Sequence, residues 1–151
     1  MNTKATQITD AVLDLLKGIT PVHDFNTDAG LRTERSYLDI DTDDSESYPA
    51  ILIRTTNDPV SQSRPNPPQA RRSRTVTCEG YVWAGVDDYE PAMDDLAEDM
   101  LRALLPATSK DALNGLAIDV SLTGADYEHP AEGSNVAVVR YVVTASYTVS
   151  Y

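Results

Sequence analysis

Cysteine, histidine, positive charge and long apolar runs are all scarce in this sequence, and each shortage excludes something. The single cysteine, Cys78, excludes an internal disulfide framework. It stands among apolar residues on an expected inward strand face, where a thiol acts as a small inert hydrophobe. The two histidines, His23 and His129, lie far apart with no Cys or His nearby, so zinc-ligand spacing is missing. No apolar run approaches the roughly 18 residues of a membrane span. Residues 1–9 lack the apolar segment of a signal peptide, so synthesis in the cytoplasm is expected. Neither a Gly-x-Ser-x-Gly nucleophile elbow nor a phosphate-cradling glycine loop occurs. Adjacent acids such as Asp94 and Asp95 point in different directions on a helix, which suits a solvated face better than an acid–base pair. No catalytic residue, cofactor or metal is expected, and the chain reads as a non-enzyme.

The shortage of cations is quantitative. Twelve Lys and Arg stand against 24 Asp and Glu, a net charge of −12. Such a balance argues against a broad surface that grips phosphate backbones, and fits a self-repelling soluble chain or a surface that DNA slides past. At 151 residues, with 41% apolar residues and eight tyrosines, the chain has enough material for one folded domain with a real core.

The hydrophobic periodicity supplies the elements. Ile8, Val12, Leu15, Leu16 and Ile19 recur at helical spacing and predict a helix over residues 6–17, with Gly18 and Pro21 ending it. Short strands are expected at 22–25 and 36–41, separated by a turn-rich stretch, and a clearer one at 48–55. Residues 57–72 (NDPVSQSRPNPPQARR) hold four prolines and read as an extended, irregular excursion; with the strand that follows, they resemble a long hairpin with a basic, proline-stiffened tip. A strand over 74–86 places Val76, Cys78, Gly80 and Val82 on one face, and Thr75, Thr77, Glu79, Tyr81 and Trp83 on the other. A second amphipathic helix is expected over 89–105, with seven acids between Asp87 and Asp99 on its outer face. A strand over 116–122 and a turn at 129–134 lead into a last strand over 136–151. There Ala137, Val139, Tyr141, Val143, Ala145, Tyr147, Val149 and Tyr151 share one face. Sixteen residues at about 3.3 Å each span roughly 50 Å, about three times an ordinary strand. The expectation is a single α+β domain over residues 1–151. In it, two amphipathic helices pack on a mainly antiparallel or mixed β-sheet, with an extended Pro/Arg-rich hairpin loop at 57–74.

Two charged segments stand out. Asp39, Asp41, Asp43, Asp44 and Glu46 form an acidic turn. Its Asp-x-Asp-x-Asp start resembles a calcium loop, but Asp44 and Ala50 occupy the positions that need glycine and glutamate, so it reads as solvated. Against it stand Arg64, Arg71, Arg72 and Arg74 in a stretch, 59–74, that contains no acid. That stretch also lacks aromatics for base stacking, which disfavours nucleic acid. Arginine suits bidentate pairing with carboxylates, and the chain offers these at 39–46 and 87–99. Basic loop against acidic face of a second copy makes a head-to-tail contact, which closes into a ring or runs on as a fibre. The excess length of the last strand adds Tyr147 and Tyr151 as expected subunit contacts.

In order and texture the elements resemble the tail terminator proteins of long-tailed bacteriophages, the minor tail protein U type. The likeness rests on ITDAVLDLLKG, YPAILIRTTND, an Arg/Pro loop feeding RTVTCEGYVWAGV, the acidic DDYEPAMDDLAEDMLRALL, and the closing LAIDVSLTGADYEHPAEGSNVAVVRYVVTASYTVSY. The resemblance implies a virion protein that forms a hexameric ring on the head-proximal end of the tail tube. There it stops tube polymerisation and presents the surface that joins the head. Its implied partners are further copies of itself, the tail tube protein and a head–tail connector protein, with DNA passing through the lumen unbound. Its subunit-bridging loop maps by position onto 57–74. Another neck or tail-completion protein, or a small intracellular protein-binding module, are the alternative readings.

Overall fold

The computed structural model describes residues 3–36, 45–86, 88–109 and 112–151. Within them, two α-helices pack on a mixed six-stranded sheet, an α+β fold. The first helix, α1 (Lys4–Lys17), begins earlier than the apolar spacing predicts. The reason is its cap: the Thr3 hydroxyl accepts from the Thr6 N–H at 3.1 Å and so fixes the first turn. Gly18 follows the helix but keeps a right-handed φ of −75°, so the chain leaves through a tight turn instead of a left-handed cap. The predicted strand at 22–25 is a short 3-10 turn, Pro21–His23, because Pro21 presets helical φ and Asp24 then reverses the chain at φ 65°. A further 3-10 turn, Ala29–Arg32, leads into β1 (Thr33–Arg35), so a strand forms just before the predicted 36–41 segment. The remainder of that segment, from residue 37, lies outside the described residues.

Strand β2 (Ala50–Asn57) runs parallel to β1 and antiparallel to the long β4 (Pro68–Trp83). Between them, β3 (Val60–Pro65) pairs with the first part of β4, so the 57–72 excursion is no irregular loop. It is an ordered arm closed by the two-residue turn Asn66–Pro67. The four prolines are placed where a ladder tolerates them: Pro59 in the break between β2 and β3, Pro65 and Pro68 at strand ends, Pro67 in the turn. Strand β5 (Asp119–Glu128) continues well past the predicted 116–122, because β6 (Val136–Ser150) offers it a partner as far as Val138. The sheet order is β1-β2-β4-β6-β5, with β3 on the β2 side of β4.

The length of β6 has an intrachain cause. Its partner β4 is equally long, and the two pair without interruption from Gln69 opposite Ser150 to Trp83 opposite Val136. Half of the alternation predicted for β6 is core: Ala137, Val139, Tyr141, Val143, Ala145 and Tyr147 are all buried beneath the helices. There they meet Ile8, Val12 and Leu16 of α1 and Met93, Leu96 and Met100 of α2 (Glu90–Leu104). α2 lies directly on β4 at Gly80, where an added Cβ would stand 2.7 Å from both Leu96 Cδ2 and Met100 Sδ. Leu105, the last residue of the predicted 89–105 helix, is 49% exposed because the chain tightens into a 3-10 turn there. The opposite sheet face carries charged residues with Thr and Ser along its middle and a small aromatic cluster at one end, Tyr48, Leu52, Tyr81 and Val136 with Trp83 and Val138.

Candidate assembly surfaces

Strand alternation sorts the four arginines of the arm onto two faces. Arg72 and Arg74 share the parity of Val76 and Cys78 and point to the helix side. There Asp58, in the break between β2 and β3, gathers them. Its Oδ2 accepts from Arg74 Nη1 at 3.0 Å, from Arg72 Nη2 at 3.1 Å and from the Tyr147 hydroxyl at 2.5 Å. Arg74 also donates from Nε to the Thr9 hydroxyl of α1 at 2.7 Å, which ties the arm's base to the helix layer. Arg72 lies over the Tyr147 ring at 5.7 Å, within cation–π range. Burial, then the bond to Asp58, pushes the Tyr147 phenol up to about 12, so it stays a donor at neutral pH.

Three of the expected subunit contacts, Tyr147, Arg72 and Arg74, are engaged within their own chain. Tyr147 has no exposed surface, and Arg74 is 7% exposed. Asp58 is the residue that sequence reasoning passed over. It adjoins the acid-free run of arginines, but nothing local in the sequence marks it as buried.

Arg71 has the other parity, and Arg64, on β3 opposite Gln69, lies on the same face as Arg71. With Gln62, Gln69 and Thr148 they surround a shallow depression of about 220 Å³ on the face away from the helices. Neither makes an ion pair within the described residues. Tyr151 is 77% exposed and follows the edge of the same end, its N–H donating to the Pro68 carbonyl at 3.0 Å. Of the acidic turn, Asp39, Asp41, Asp43 and Asp44 lie outside the described residues, whereas Glu46 sits exposed in the short turn Ser45–Ser47.

The acids of α2 are not uniform either. Asp99, expected on the outer face, is fully buried and accepts from the Asn26 N–H at 2.9 Å and from the Thr27 N–H and hydroxyl at 2.7 Å. It pins the loop after α1 against α2. Asp94 accepts from the Tyr127 hydroxyl at 2.7 Å. Glu90, Asp95 and Glu98 remain exposed and make no ion pair within the described residues.

The middle of the open face carries a charge ladder that crosses four strands. Arg54 of β2 pairs with Glu79 of β4 at 3.2 Å; Arg140 of β6 pairs with Glu79 at 3.0 Å and with Glu128 of β5 at 3.2 Å. Its signs alternate and cancel, and the Glu79 bond raises the Arg140 pKa further. The ladder therefore fixes strand register but leaves no net charge to attract a partner.

Where β4 ends, a cleft of about 170 Å³ opens between the sheet and α2. Tyr48, Pro49, Val82 and Trp83 form its apolar wall, and Ala92 and Asp95 of α2 its rim. The Tyr48 and Trp83 rings are 5.9 Å apart and tilted by 40°. Among the described residues, no group of three or more His, Cys, Asp and Glu is placed to hold a metal ion, and no helix is long and apolar enough to cross a membrane. No family model matches the chain, and no curated protein matches it significantly.

Proposed function

We propose that the chain is a structural protein of a phage tail, a terminator that assembles as a ring on the head-proximal end of the tail tube. It acts without catalysis: it stops tube growth and presents the surface to which the head is joined. The observation that carries the reading is the β3–β4 arm. An ordered hairpin lies at one end of the sheet and holds two arginines, Arg64 and Arg71, that make no ion pair within the described residues, in a chain of net charge −12. Exposed carboxylates of α2 supply the complementary sign elsewhere on the subunit. A subunit with unlike surfaces at different places associates head to tail, the geometry from which rings close. The order of the elements resembles the tail terminators and supplies the kind of assembly.

The charge fits the proposed site of action. Six copies carry 6 × −12, or −72 formal charges, and an acidic lumen lets a phosphate backbone pass without sticking. The test is to incubate the protein with purified tail tubes and look for capped ends and six-fold rings by electron microscopy. A protein that stays monomeric at every concentration and ignores tube ends refutes the reading.

A further inference from the structure

We infer that the proline tip of the arm, residues 64–68, docks into the Tyr48–Trp83 cleft of a second copy of this chain, with Arg64 pairing to Asp95 on the cleft rim. The inference rests on the proposed self-assembly and names its two mating surfaces.

The tip is shaped for such a site. Pro65, Pro67 and Pro68 surround Asn66 in a turn whose residues are all exposed, so the tip is a rigid apolar wedge that loses little freedom on docking. Arg64 stands beside it without an ion pair within the described residues. Prolines are recognised in aromatic-lined grooves, where flat rings pack against the pyrrolidine. Of the cleft's lining, the Trp83 ring and Pro49 are half-buried and accessible to a wedge, while the tilted Tyr48 ring and Val82 are buried in the cleft's wall. Asp95, exposed and making no ion pair within the described residues, provides a carboxylate on the rim for the guanidinium. Wedge meets groove, and cation meets anion.

The geometry also excludes self-docking. The tip begins β4 at Pro68 and the cleft is reached at its far end, Trp83. Fifteen residue steps at about 3.3 Å separate them by roughly 50 Å. No chain can reach its own cleft with its own tip, so the contact is heterologous and repeats from copy to copy. The area offered by one tip is small, which places each contact in the weak class; ring closure then adds strength because the last contact is made within one assembly.

Two exposed, single-residue reversals test this. Arg64→Glu damages only the tip, and Asp95→Lys only the cleft. Sedimentation velocity across a concentration series is expected to show self-association of each variant weakened roughly tenfold or more relative to wild type. An equimolar mixture of the two is expected to regain association, because the intact tip of one meets the intact cleft of the other and the two reversed charges pair at the contact that remains. Trp83 is the only tryptophan, so its fluorescence reports entry into the cleft directly. A spectral shift is expected as wild type associates, and in the mixture, but with neither variant alone. If wild type forms rings on tube ends and both variants do so equally well, with no change at Trp83, the docking is wrong while the ring stands. If wild type never associates, both fall.

Discussion

Replacing Asp58 with alanine removes one acceptor and strands three donors. Arg72, Arg74 and Tyr147 all converge on its Oδ2. The cost depends on which of them finds water. Arg72, with 30% of its side chain exposed, turns to solvent. Arg74, with 9%, cannot do so without opening the contact to Thr9. Removing one partner of a buried ion pair costs about 3–5 kcal/mol, chiefly because a charge is left uncompensated. One escaping cation places Asp58→Ala near the lower limit, about 3 kcal/mol. Tyr147→Phe keeps the ring in the core and removes a single donor from an acceptor that retains two guanidinium groups, which costs about 1 kcal/mol. Asp58→Asn keeps the volume and one carbonyl acceptor but loses the charge, and falls between the two. In the double variant Asp58→Ala/Tyr147→Phe the costs are less than additive, since the phenol has already lost its acceptor. Urea denaturation followed by circular dichroism measures all four. An Asp58→Ala chain within about 1 kcal/mol of wild type, at unchanged m-value, refutes the assignment of Asp58 as the hub of the arm.

Glycine substitutions distinguish backbone from side-chain crowding. A Cβ at Gly30 would stand 2.4 Å from the Lys17 carbonyl oxygen, so Gly30→Ala is expected to cost about 3 kcal/mol, whereas Gly80→Ala meets only the mobile ends of Leu96 and Met100 and costs about 1 kcal/mol; thermal melts give both. Burial pushes the Cys78 thiol up from 9.0 to about 12. The folded state therefore holds a proton that the unfolded state releases. The associated stability is intact below pH 9 and is lost as pH rises from 9 to about 12, by about 1.4 kcal/mol per pH unit. Cys78→Ala is expected to flatten that part of the profile, measured as urea midpoints on either side of pH 9; an unchanged slope refutes it.

Where apolar residues recur with a clear period, the elements were legible. Both helices and the core-facing half of β6 follow from spacing, because burial leaves one stripe or one face no alternative. Sequence reasoning failed at the arm for a physical reason. Prolines argue against a central strand, but β3 is an edge strand and each proline occupies a break, an end or a turn, where no ladder donor is needed. Reading 57–72 as a loop also leaves the excess length of β6 without its true partner, the first third of β4. Asp58 and Asp99 were out of reach for another cause. A lone acid in a turn and one acid among many on a helix carry no local mark of burial; only the approach of residues distant in sequence, Tyr147 in one case and Asn26 with Thr27 in the other, makes each a buried acceptor.

The arm shows how strand parity divides charge between stability and recognition. Arg71 and Arg72 are neighbours in sequence, yet one lines the depression beside Thr148 on the open face and the other lies against Tyr147 on the helix side. Counting arginines in the segment gives four positive charges; subtracting Arg72 and Arg74, which Asp58 holds, leaves Arg64 and Arg71 to meet a partner. The prediction is that adjacent reversals behave oppositely. Arg71→Glu is a half-buried change on the open face with no ion pair within the described residues, and should cost about 0.5–1 kcal/mol of stability while weakening self-association. Arg74→Glu sets a second carboxylate against Asp58 in a buried site and should cost about 3 kcal/mol or more. Urea midpoints and sedimentation on the same two samples separate the effects. Equal destabilisation by both would mean that the two faces of β4 are not distinct, and the division between structural and recognition charge would fail with it. A stable Arg71→Glu chain that no longer associates, beside an unstable Arg74→Glu chain, ties assembly to the outward face alone.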